Sequence, residues 1–209
     1  MGGSKRGGWM VAAGMALIVL IGAGAGSLYA MKAGPFKDSA PAATEKSALS
    51  RYAVGSLARL ETPAALTTAP EHGFKDRNGA DVRFSDFRGK VVVVNLWAMW
   101  CAPCRTEMPT LARLAQVYEG TDLIVLPVNV DATPDAIADA RSFIDVHEPL
   151  PMYSDPAFQL PFLFPGAGKM PQTILLDRQG RIRASFSGEA DWASAEARAL
   201  VDAVLAEEG

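Results

Sequence analysis

Four consecutive valines, Val91 to Val94, lead through Asn95-Leu96-Trp97 into Trp100-Cys101-Ala102-Pro103-Cys104, and this stretch limits what the chain can become more than any other. β-Branched residues favour extended backbone, and a run without polar alternation fits a strand covered on both faces. The residues from Ala102 to Pro109 then fit the first turns of a helix. A buried strand therefore delivers two thiols to a helix N-terminus, and these are the only two cysteines in 209 residues.

About half of the chain is hydrophobic, enough for one good core, so one domain with attachments is expected. The formal charge is −3, but Lys5, Arg6, Lys32 and Lys37 all precede the first acid, so the remainder carries −7. An acidic head of that kind is repelled by nucleic acid and by anionic membrane surfaces, which excludes both as ligands of the head. The uncharged stretch from Trp9 to Met31 is long enough to cross a bilayer, which takes about 20 apolar residues. Lys5 and Arg6 on its near side then keep residues 1–8 cytoplasmic and place everything after Met31 outside. A cleaved signal peptide, cut near Ala25-Gly26-Ser27, is the competing reading, but the apolar run exceeds the ~7–15 residues of a signal core. The expected organisation is a cytoplasmic N-terminus (1–8), a transmembrane anchor (9–31), a linker with a short helix (32–61) and a globular domain (62–209).

Within the linker, Leu49, Ala53, Leu57 and Leu60 keep helical spacing, so one amphipathic helix is expected over 48–60. Asn78-Gly79 predicts a hairpin between Phe74–Asp76 and Asp81–Phe84, because both residues tolerate positive φ. Ser85 is expected to cap a single helical turn that Gly89 stops. After the dithiol helix, which Gly120 ends, a strand over Leu123–Val130 and a helix opened by Thr133-Pro134 complete a parallel unit. The proline-rich residues 146–168 give only Pro151-Met152-Tyr153 as a short strand. Asp177-Arg178-Gln179-Gly180 then joins Thr173–Leu176 to Arg181–Ser187 as a second hairpin, and Asp191 is expected to cap the last helix.

This order, with Trp100-Cys101-Ala102-Pro103-Cys104, Pro109 and Met170-Pro171, resembles the thioredoxin fold. With the anchor, the Asn78-Gly79 hairpin and the Gly89-Lys90 start of the strand, the chain resembles the TlpA-type membrane-tethered thioredoxins, close to ResA and the cytochrome c maturation thioredoxins. The resemblance covers Phe74 to the C-terminus. It implies an α/β thioredoxin fold with an N-terminal β-hairpin and a central insertion between Val130 and Pro171, preceded by a single transmembrane helix. It also implies that Met170-Pro171 is a cis pair. Ordinary thioredoxins carry an aspartate where this chain has Asn95, and an amide cannot move protons for the second cysteine. Glu107 matches a glutamate that TlpA and ResA relatives keep near the dithiol, and it is the candidate substitute base; good helix chemistry alone would also account for a glutamate there.

The chemistry follows from the residues. Cys101 at a helix start has free backbone N–H groups and the helix dipole to stabilise its thiolate, the attacking species in disulfide exchange. Cys104, one turn deeper, would release the mixed disulfide. Ala102-Pro103 brings neither charge nor histidine to over-stabilise the thiolate, which favours a reductant. Trp100, Ala102, Pro103, Met170 and Pro171 are the candidate substrate contacts, while Trp97 serves either the rim or the core. A metal site is disfavoured because zinc asks for four ligands and only His72 and His147 accompany the cysteines. No cofactor beyond the Cys101–Cys104 disulfide is expected. A peroxidase is disfavoured because the Pro-x-x-x-Thr-x-x segment that precedes a lone peroxidatic cysteine is missing.

The resemblance implies an inner-membrane, single-pass protein whose soluble domain lies in the periplasm and reduces cysteines of a copper chaperone or of the copper subunit of cytochrome oxidase. Apocytochrome c with its haem-attachment cysteines is the alternative, and a membrane protein of the DsbD or CcdA type is the implied electron donor. A copper carrier that uses Cys101 and Cys104 as ligands is the reading from another class. Gln172 stands where many TlpA relatives have threonine.

Overall fold

The computed structural model describes residues 47–207. The proposed membrane span and the first part of the linker lie outside the described residues; among those described, no helix is long and apolar enough to cross a membrane. The chain runs through β1 (Phe74–Asp76), β2 (Asp81–Val82), β3 (Val91–Trp97), α1 (Ala102–Val117), β4 (Leu123–Asn129), α2 (Pro134–Asp145), β5 (Tyr153–Ser154), α3 (Leu160–Leu163), β6 (Gln172–Leu176), β7 (Ile182–Ser187) and α4 (Ala195–Leu205). One mixed sheet of order β2-β1-β5-β4-β3-β6-β7 carries them. β3 and β4 pair in parallel, as do β4 and β5, whereas β6 runs antiparallel to β3 and β7 to β6. This is a thioredoxin-like α/β fold with a mixed sheet.

β3 is central, and all seven of its residues are buried. Side chains alternate across a strand, so Val91, Val93 and Trp97 enter the core beneath α1 and α4, while Val92, Val94 and Leu96 enter the opposite core with Phe74, Phe84 and Leu160. Asn95 falls in the first set by the same alternation. Trp97 is core, fully buried against Phe143 at 5.4 Å between ring centroids.

The Asn78-Gly79 hairpin forms as expected, with Gly79 at φ +85. Lys75 and Asp76 pair with Ser154 and Tyr153 of β5, so the insertion strand splices the hairpin into the far edge of the main sheet. A two-residue strand in a proline-rich stretch gave too few alternating positions for this to be read from sequence.

Three local expectations change. Residues 48–60 form two short 3-10 turns, Ala48–Tyr52 and Gly55–Leu57, not one helix, because the chain passes through a left-handed backbone at Gly55 (φ +56). Their apolar residues are nonetheless buried, with Leu49, Leu57 and Leu60 in the core that also holds Trp192, Ala197 and Leu200. The turn before β3 starts at Phe84, and Asp86 rather than Ser85 secures it by accepting from Arg83 N at 2.8 Å. α4 is capped by Ser194, whose hydroxyl accepts from Ala197 N; Asp191 closes the preceding turn onto Ala193 N.

The open edge of β7 is covered by residues 61–69. Glu61 exchanges both backbone hydrogen bonds with Ser185 at 2.9 Å, and Ile182 N donates to Thr67 O at 2.8 Å. An unpaired edge invites pairing with another chain, and this strap removes most of the opportunity.

Candidate redox site

Topology gathers the site at one end of the sheet. The C-terminal ends of the parallel strands β3, β4 and β5 lie together, and the antiparallel β6 starts beside them, since Leu96 faces Gln172. That places the segment after β3 (the dithiol), the one after β4 (Asp131), the one after β5 (Asp155 to Phe158) and the one before β6 (Met170-Pro171) along a single rim.

Cys101 is the N-cap of α1 and is joined to Cys104. Its sulfur accepts from Cys104 N at 3.3 Å, so the backbone donor expected to stabilise a thiolate is already aimed at it. Cys101 is 5% exposed and Cys104 is sealed, which assigns the outer sulfur to the attacking role and the inner one to resolution. Pro109 lies inside α1 with its ring exposed. Beneath the loop that carries the dithiol, the buried Asp131 accepts from Met99 N at 2.8 Å and from Asn129 Nδ2 at 2.7 Å. Sequence reading missed this brace, although an aspartate two residues past a buried strand was a visible signal.

Glu107 is 1% exposed. It sits on the stripe of α1 formed by Cys104, Met108 and Leu111, so it is not an ordinary surface glutamate of an early helical turn. Asn95 Nδ2 donates to its Oε1 at 2.8 Å, while Ala190 N and Trp192 Nε1 donate to its Oε2 at 3.1 and 3.2 Å. Asn95 also donates to Thr173 Oγ1 at 2.9 Å. Burial pushes the Glu107 carboxyl up to about 7, against the pull of its three neutral donors, which favour the anion. Asn95, whose amide cannot accept the proton itself, is the group that holds the acceptor in place. Strand alternation and the spacing from Cys104 to Glu107 together contained the signal.

Of the candidate contact residues, Trp100, Ala102 and Pro103 are exposed, Met170 is half-buried and Pro171 is buried. The Met170–Pro171 peptide is cis. Gln172 is fully buried, with its amide against Gly166, so it acts beneath the rim and cannot touch a partner. Neither histidine joins the dithiol in a ligand set: His72 Nε2 lies 3.2 Å from Asp155 Oδ1, and His147 Nδ1 lies 2.8 Å from the carbonyl oxygen of Phe143. Among the described residues no group of three or more histidine, cysteine or acidic side chains is placed to hold a metal ion.

Comparison with known proteins places the same chemistry on this scaffold. The model of the AhpC/TSA family matches residues 66–185. The thiol-disulfide oxidoreductase ResA of Geobacillus thermodenitrificans is 31% identical over 125 residues, covering 60% of this chain and 70% of the relative. Among solved structures, a provisionally named thiol:disulfide interchange protein DsbE from Chlorobium tepidum superposes with a TM-score of 0.58 at 29% identity, covering 66% of this chain and 95% of that one. A secreted thiol-disulfide isomerase from Corynebacterium glutamicum gives 0.54 at 30% identity, covering 66% and 83%.

Proposed function

This chain belongs to the AhpC/TSA family and is a thiol-disulfide oxidoreductase of the ResA and DsbE type, and from that premise we propose that it works outside the cytoplasm as a tethered reductant of protein disulfides. The observation that carries the reading is the arrangement of three groups on one helix: an outer sulfur at the N-cap, a sealed sulfur one turn on, and a buried carboxylate one turn further.

In the reduced protein the Cys101 thiolate attacks a partner disulfide; the partner S–S bond breaks, a mixed disulfide forms and one partner sulfur leaves and takes up a proton. The Cys104 thiol gives its proton to the Glu107 carboxylate and attacks Cys101, releasing the second partner sulfur, which is protonated in turn. Two electrons pass from the Cys101–Cys104 pair to the partner. A carboxyl near 7 suits this relay, since a base is most effective when its pKa lies near the working pH. Ala102-Pro103 between the sulfurs favours reduction over strong oxidation. In an oxidising compartment the pair needs re-reduction, and a membrane donor of the DsbD or CcdA type fits a protein anchored by Trp9–Met31.

The partner class we propose is the one that the resemblance to TlpA-type thioredoxins implies: the cysteines of a copper chaperone or of the oxidase copper subunit, which must be reduced before metal binds. Cys104→Ser should leave Cys101 unresolved and freeze the mixed disulfide, so non-reducing gels and mass spectrometry of the trapped species identify the partner. Capture of apocytochrome c through its haem-attachment cysteines would move the protein to that branch. Stoichiometric copper binding with no turnover of any disulfide would replace the enzyme by a copper carrier.

A further inference from the structure

Beyond the dithiol rim, the insertion between β4 and β6 presents aromatic surface that the redox chemistry does not use. Phe162 is 61% exposed and Leu163 50%, beside Trp100 at 62%, although large apolar side chains are normally covered. The three aromatics form a continuous row: the Trp100 and Phe158 ring centroids are 6.3 Å apart, and those of Phe158 and Phe162 are 5.5 Å apart, both edge to face.

The fold holds this row firmly. The buried Asp155 accepts from Gln159 N and Leu160 N at 2.8 Å each, fixing the start of α3. Gly168 N donates to Pro161 O at 2.8 Å, which ties α3 to the loop just before Met170-Pro171. Phe162 lies so close over Gly168 that a Cβ there would stand 2.6 Å from its ring, and Gly168 itself has φ +84. Phe158 and Ala167, at φ +53 and +49, hold left-handed backbone that ordinary residues avoid. Strain of this kind persists where the surroundings over-determine it: Phe158 rests partly on the core, while Phe162 and Leu163 further along the same segment face solvent.

We propose that Trp100, Phe158 and Phe162 form a specificity platform that receives a bulky apolar side chain of the protein substrate, close in sequence to the cysteine that Cys101 attacks. The platform is continuous with the redox rim through Trp100, and a protein disulfide engaged at Cys101 already lies against that end of the row. The two ring-to-ring steps span at most about 12 Å, the reach of roughly four residues of extended chain. Its occupant is therefore a disulfide-bearing segment with an aromatic or large aliphatic residue within about four positions of the attacked cysteine. The inference rests on the reading of the protein as a reductant of protein disulfides.

The test uses the full chain in detergent and two disulfide peptides that differ only in carrying leucine or serine four residues from the cysteine, with hydroxyethyl disulfide as a substrate too small to reach the platform. The wild-type protein should prefer the leucine peptide, and Phe162→Ser should lower kcat/KM for it about tenfold more than for hydroxyethyl disulfide. Phe158→Asn, which keeps a residue tolerant of positive φ, should reproduce the effect if folding is undisturbed by near-ultraviolet dichroism. Equal losses on all three substrates, or no preference in the wild type, overturn the platform. A dimer in sedimentation that Phe162→Ser dissociates also overturns it and makes a second copy of the chain the occupant. Failure of the wild type to reduce any of the three disulfides would instead remove the underlying reductant reading.

Discussion

Glu107 and Asp155 are both 1% exposed and both accept three hydrogen bonds, yet they sit in different kinds of pocket. Two of the donors to Asp155 are backbone N–H groups four and five residues further along, so this carboxylate is a local cap with His72 added from a distance. Every donor to Glu107 comes from another element: Asn95 from β3, Ala190 and Trp192 from the segment between β7 and α4. Trp192 grips α1 twice, since its backbone N also donates to Thr110 Oγ1 at 3.1 Å. A carboxylate that closes its own turn belongs to the architecture. One on which three donors from two distant segments converge, one turn from a sealed cysteine, is placed for chemistry.

Three substitutions sharpen or break that contrast. The largest effect belongs to Glu107→Gln, which keeps shape but removes the proton acceptor: single-turnover reduction of a protein disulfide at pH 7 should slow by about 10²-fold, and the limb of the pH–rate profile near 7 should vanish. The same change has a stability signature. Glu107 titrates higher in the folded protein, about 7, than the ordinary 4.5, so the folded state binds its proton more tightly and stability falls as pH rises between those values. The fall is on the order of 3 kcal/mol, and urea titrations across that window should show it flattened in Glu107→Gln. If both profiles stay as in the wild type, the carboxylate is architectural like Asp155.

Asp155→Asn should behave in the opposite way. It sets an amide against two backbone donors and should cost about 1–3 kcal/mol in urea unfolding, while the pH limb near 7 stays in place. A lost limb would erase the distinction between the two carboxylates. The smallest effect is expected from Trp192→Phe, which removes one N–H donor to Glu107. Losing a donor that favours the anion raises the carboxyl pKa, so the limb should move up by less than about 1 unit. In a Glu107→Gln background the same substitution should leave the pH profile unmoved, because the group it acts through is gone.

The two carboxylates also differ in how legible they were. Glu107 stood out through its position after the cysteines and its match to a relative's motif, yet its partners are 12, 83 and 85 residues away and no local pattern links them. Only Asn95 was within reach of inference, because strand alternation puts it on the face that looks at α1. Asp155 was the reverse case: its two backbone donors are local, but five prolines between Val146 and Gly168 break every periodicity that would expose them. The platform on that insertion stayed hidden for the same reason. Caps were misplaced by a few residues wherever several short polar residues competed, as at Asp191 and Ser194.

The sequence by itself determined the buried central strand, the dithiol at a helix N-terminus, both hairpins and the alternation that makes a parallel unit. Those features rest on backbone preferences and on contacts between near neighbours, which a linear pattern records. Tertiary structure alone decided that Asn95 holds Glu107, that the N-terminal hairpin joins the main sheet through β5, and that Trp100 continues into an aromatic row on the insertion. Each of these depends on which distant segments share one end of the sheet, and that is set by strand order and register, which no local pattern encodes.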